Sequence, residues 1–165
     1  MAYATLNDLV ARYGERELIQ LTDLVNMPPS AIDADRVQIA LDDASAVVDS
    51  YVGQVYALPL QGCAKPVTLP GADPEYVAPP QLVRITCDLA RFNLYDDLAP
   101  ESEVASRQKA ALKELESLAQ GKAVLSCPWG GQPGTPLVSN AQTGGEDVAY
   151  SFSCRSITDD TMRGY

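Results

Sequence analysis

A chain of 165 residues, 46% of them hydrophobic, has material for one packed domain and an appendage, which excludes global disorder. Its 22 acidic against 12 basic residues leave a net charge of −10 and no basic cluster, which excludes nucleic-acid binding by phosphate neutralisation. No apolar run approaches the ~18 residues of a membrane span. The stretch from Met1 to Asp8 lacks the basic-then-apolar order of a signal peptide, so a soluble protein kept in the cytoplasm is expected.

The elements follow in chain order. Thr5 is placed to cap a helix from Leu6, with Leu6, Leu9, Val10 and Tyr13 on one face and Gly14 as its stop. A second short helix runs from Glu15 to Leu21, and Met27-Pro28-Pro29 breaks the chain. From Ala34 to Val55, Val37, Ala40, Leu41, Ala44, Val47, Val48, Tyr51, Val52 and Val55 trace a single helical stripe behind an Asp33 cap. This predicts the central helix, with Asp35, Asp42, Asp43 and Asp49 on its outer face.

Residues 56–81 are rich in proline and predict a long connection with little regular structure, whose length suggests a functional loop. Pro80 suits the first position of the next helix, which buries Leu82, Ile85, Leu89 and Phe92 and pairs Arg84 with Asp88. Ser102 opens the last helix, with Val104, Ala111, Leu112, Leu115 and Leu118 inward and Gly121 as its stop. The fold class is therefore mainly α: a helical bundle of about five helices over residues 1–121. Residues 122–165 read as an extended C-terminal arm, turn-rich around Trp129, with a short β segment at 148–154 and a helical turn at the end. Such an arm is expected to bury itself in a partner. Its deletion is expected to leave a folded helical body.

No residue is assigned to catalysis, cofactor binding or a metal. The chain has no histidine, which removes the commonest general base and metal ligand. No nucleophile elbow or phosphate-binding glycine loop is present. The neighbours Asp42-Asp43 and Asp96-Asp97 would point apart on a helix and read as solvated faces. Cys63, Cys87, Cys127 and Cys154 are widely spaced and, without a secretion signal, are expected to be reduced. Trp129 reads either as an interface anchor or as a staple of the arm on its own domain. Tyr150 and Phe152 read as a strand added to a neighbour's sheet or as a local hairpin. The acidity reads as a solubility device, or as a wall past which DNA slides inside a ring or channel.

The order of several short segments is more specific. These are Tyr3-Ala4-Thr5-Leu6-Asn7-Asp8-Leu9, Arg12-Tyr13-Gly14, Ala40-Leu41-Asp42-Asp43-Ala44-Ser45, Tyr56-Ala57-Leu58-Pro59-Leu60, Cys87-Asp88-Leu89-Ala90-Arg91-Phe92 and Arg155-Ser156-Ile157-Thr158 with Arg163-Gly164-Tyr165. In this order the chain resembles the Mu-like phage neck proteins over nearly its whole length. The resemblance implies a non-enzymatic head-to-tail connector or adaptor at the virion neck. Its subunits would form a homo-oligomeric ring, with twelve copies the expected number, beneath the portal protein. DNA would pass through without specific binding. It further implies docking on the portal through Arg155, Ile157, Met162, Arg163 and Tyr165, with a stopper or tail-terminator as the partner on the other side. The alternatives are that the chain is itself a stopper or tail-terminator, or a small cytoplasmic regulator.

Overall fold

The structure, a computed structural model, describes residues 2–67, 73–95 and 99–137. Five helices follow in order: α1 (Leu6–Tyr13), α2 (Glu15–Thr22), α3 (Ala34–Val52), α4 (Pro80–Asn93) and α5 (Glu103–Ala119). The mainly helical fold expected from the spacing of apolar residues is the one observed. The starts are set by the caps the sequence offers. Thr5 Oγ1 accepts from the Asp8 amide while the Asp8 carboxylate accepts from the Thr5 amide at 2.8 Å, a reciprocal capping box. The Asp33 carboxylate accepts from the amides of Asp35 and Arg36, Pro80 occupies the first turn of α4, and Ser102 Oγ accepts from the Ala105 amide.

The core is built where α3, α4 and α5 pack on one another. Val37, Leu41, Ala44, Val48 and Val52 of α3 meet Leu82, Ile85 and Leu89 of α4 and Ala111, Leu115 and Leu118 of α5. Leu9 and Leu18 bring α1 and α2 onto this core, both fully buried. Polar bonds then fix the relative placement of the helices. Arg91 of α4 pairs with Glu17 of α2 at 2.6 Å, lies over the Tyr13 ring, and Tyr13 donates to Asp88 at 2.7 Å. Arg84 bridges from Asp88 on its own helix to Glu114 of α5.

Two details of the predicted stripe shift. Val47 is part-exposed at the stripe's edge, whereas Ser45 is buried beneath the N-terminal segment. Its Oγ accepts from the Tyr3 amide, and Tyr3 Oη donates to Asp49, so the chain start covers a face of α3 that the apolar pattern left open. The helix also stops at Val52, ahead of the predicted Val55.

The predicted loop over residues 56–81 contains a small β element. Strands β1 (Cys63–Ala64) and β2 (Tyr76–Val77) pair antiparallel, Cys63 against Val77 and Ala64 against Tyr76. Gly62 enters β1 with φ +93°, and a Cβ there would stand 2.9 Å from the Val77 carbonyl oxygen, so only glycine fits.

The expectation of reduced cysteines is corrected at one pair. Cys63 and Cys127 form a disulfide with Cα atoms 5.4 Å apart, because the chain after α5 returns alongside β1. Cys87 is buried and free, and Cys154 lies outside the described residues. The same return bears on the first residues of the expected arm. Leu125 is fully buried in the main core and its amide donates to Tyr56 Oη at 3.2 Å. The amides of Gly62 and Ala57 donate to the carbonyls of Pro133 and Thr135, and the Leu137 amide to that of Val55. Residues 122–137 therefore lie on the body, and contact with it does not end at Gly121.

Candidate docking surface

Among the described residues, exposed large apolar side chains gather at two places, with Ile39, Val47 and Val124 exposed singly elsewhere. The first is the connection between α2 and α3. Asp23, itself nearly buried, accepts at its carboxylate from the amides of Asn26 (3.0 Å), Ser30 (2.8 Å) and Ala31 (3.3 Å) and from the Asn26 side chain. These bonds hold its carboxyl well below the usual carboxylate range, the Ser30 amide contributing most. The turn so knitted displays Leu24, Val25 and Met27, the last two 92% and 99% exposed. Pro28 and Pro29 line a shallow groove with Glu15, Arg16, Ile19 and Gln20 of α2 beside it.

The second place surrounds the disulfide. Trp129 is 47% exposed on the turn Cys127–Gly131, which is closed by Gly130 donating to the Cys127 carbonyl and Cys127 donating to that of Gly131. Leu58, Val67, Tyr76 and Leu137, from the segments tied together by the disulfide and the bonds described above, are also exposed. Along α3 the predicted outer face holds in part. Asp35, Asp42 and Asp43 are exposed, whereas Asp49 is turned partly inward to Tyr3. The adjacent carboxylates Asp42 and Asp43 thus lie on a solvated face.

Of the residues predicted to dock, Trp129 is described and stands open to a partner. Tyr150, Phe152, Arg155, Ile157, Met162, Arg163 and Tyr165 lie outside the described residues. The apolar turn at Leu24, Val25 and Met27 was missed. The signal was available: an uncharged run between two amphipathic helices, read only as a break because of its prolines. Among the described residues no group of three or more His, Cys, Asp or Glu side chains could hold a metal ion. None of their helices is long and apolar enough to cross a membrane.

The chain as a whole has known relatives. The chain is similar to "Gene product J" of Escherichia phage Mu, 29% identical over 165 residues that cover all of this chain and 99% of that one. It is also similar to the "Mu-like prophage FluMu protein gp36" of Haemophilus influenzae, 30% identical over 119 residues and 72% of each chain. The family model described as "Bacteriophage Mu, Gp36" matches residues 3–139, a span that includes both exposed apolar sites. With a match of that extent, the chain belongs to the bacteriophage Mu Gp36 family.

Proposed function

We propose that this protein is a structural component of a Mu-like phage particle: a head-to-tail connector subunit of the adaptor type. It binds the portal protein on one side and a stopper or tail-terminator on the other. It works as a ring of identical subunits, with DNA passing along its acidic inner wall, and acts by assembly rather than by catalysis. The observation that supports this reading best is a packed helical body with apolar side chains left open, Leu24, Val25 and Met27 in one turn and Trp129 and Leu137 after α5. Exposed tryptophans serve as interface anchors, grouped exposed apolar side chains mark interaction sites, and a shared ring multiplies weak contacts into a stable joint. The exposed Asp35, Asp42 and Asp43 suit a surface that repels phosphates.

The test is co-sedimentation with the portal ring of the same phage. A chain cut at Gly121 is a poor probe, since the cut removes Leu125 and Cys127 from the body. A chain ending after Leu137 is the better one. Full-length protein travelling with the portal while the Leu137 truncation does not supports the adaptor role and a docking role for residues 138–165. Failure of both to bind the portal, together with binding to tail components, would instead favour a terminator or stopper.

A further inference from the structure

We propose that the Cys63–Cys127 pair is a redox latch, which holds residues 128–137 to the body when oxidised and releases them when reduced. Apart from the disulfide, the two segments meet through a few backbone bonds and few buried side chains. Cys63 sits in a two-residue strand, and Cys127 opens an exposed turn through Gln132. Beyond Cys127, Pro133 is the one buried side chain as far as Leu137; Gly134 packs closely on Leu60, and three backbone hydrogen bonds, from Gly62, Ala57 and Leu137, add to the attachment. Bonds in exposed loops with few apolar contacts open readily unless a covalent link holds them. Leu125, by contrast, is seated in the core, so the hinge of release lies between Leu125 and Cys127.

The chemistry is thiol–disulfide exchange. In a reducing compartment such as a bacterial cytosol the pair is held as two thiols. On transfer to an oxidising medium, the thiolate of one cysteine attacks a small-molecule disulfide and expels one thiolate. The second cysteine's thiolate then attacks the resulting mixed disulfide, forms the Cys63–Cys127 bond and expels the other thiolate. The two cysteine protons end on the two expelled thiols, so the pair is oxidised by two electrons and the small disulfide is reduced by two. The consequence is a chain whose C-terminal departure point is loose during synthesis and fixed afterwards. This holds whatever particle role the chain has.

The experiment uses the full-length protein, equilibrated with reduced or oxidised glutathione. Peptide mapping without reduction is expected to show Cys63 joined to Cys127 after oxidation and both as thiols after reduction. Amide hydrogen exchange at Gly62 and Leu137 is expected to quicken at least about tenfold on reduction, with the α3 and α4 amides unchanged. Emission from Trp129, the chain's single tryptophan and two residues from Cys127, should rise as the quenching disulfide is lost. The double variant Cys63→Ser, Cys127→Ser should match the reduced protein in either buffer; if that variant does not fold, the reduced natural chain carries the comparison alone. The proposal is overturned if oxidation joins either cysteine to Cys87 or Cys154, or leaves both as thiols. It is equally overturned if the bond forms but exchange over residues 128–137 does not depend on it.

Discussion

Asp23 shows how much a single carboxylate can organise. It closes α2, gathers the amides of Asn26, Ser30 and Ala31, and stays ionised because each of those bonds favours its charged form. Its pKa in the folded chain is depressed, so the stability it contributes is fully present above the ordinary aspartate value of about 4 and is lost as pH falls through the folded value. Asp23→Asn is therefore expected to lower the melting temperature at pH 7 and to flatten its fall as pH drops below about 4, as thermal melts at pH 4 and below would show. An acid limb identical to that of the natural chain would refute the assignment. Tyr13 makes a different point. Its hydroxyl donates to Asp88, a nearly buried carboxylate with Arg84 at 3.6 Å as its other partner. Tyr13→Phe leaves that carboxylate short of a donor and is expected to cost about 1–3 kcal/mol in urea unfolding.

At the scale of elements, the segment after α5 is the main addition to what the sequence revealed. If it belongs to the core, Leu125→Ala should destabilise the protein by about 2–5 kcal/mol, as for other buried leucines. The exposed neighbour Val124 should tolerate alanine to within about 0.5 kcal/mol. Similar losses for the two would show that the segment is not seated as described. The helices themselves were legible because each signals locally: Thr5 with Asp8, Asp33, Pro80 and Ser102 mark the starts, and three-and-four spacing marks the buried faces. What escaped was non-local. The contact of Tyr56 with Leu125 spans 69 residues and the disulfide spans 64, and no periodicity reports either. A Gly- and Pro-rich stretch such as 127–136 reads as an arm because its turns are visible in sequence and its neighbours are not. Of the candidate docking residues Trp129 alone falls within the described structure, and the turn at Leu24, Val25 and Met27 was hidden by reading its prolines as punctuation.

For the whole molecule, the described residues place the core cluster between Tyr3 and Leu125, with the segment to Leu137 laid against it. A chain ending there is expected to keep its helical circular dichroism and a cooperative melt. A chain ending at Gly121 loses the Leu125 anchor and a cross-link over 64 residues, the latter alone contributing about 4 kcal/mol by limiting the unfolded chain. The melting temperatures of the two truncations should differ clearly, and near-identical melts would place residues 122–137 outside the cooperative unit. The Asp23-knitted turn, finally, has a meaning beyond stability. Met27 projects almost wholly into solvent from a turn whose Asn26 and Ser30 amides are both bonded to Asp23. A surface that receives it therefore orders less of the chain in the act of binding, and the entropic cost that blunts loop-mediated recognition is reduced. What remains adjustable is the thioether chain itself, whose rotatable bonds let one fixed peg fit sockets of slightly different shape.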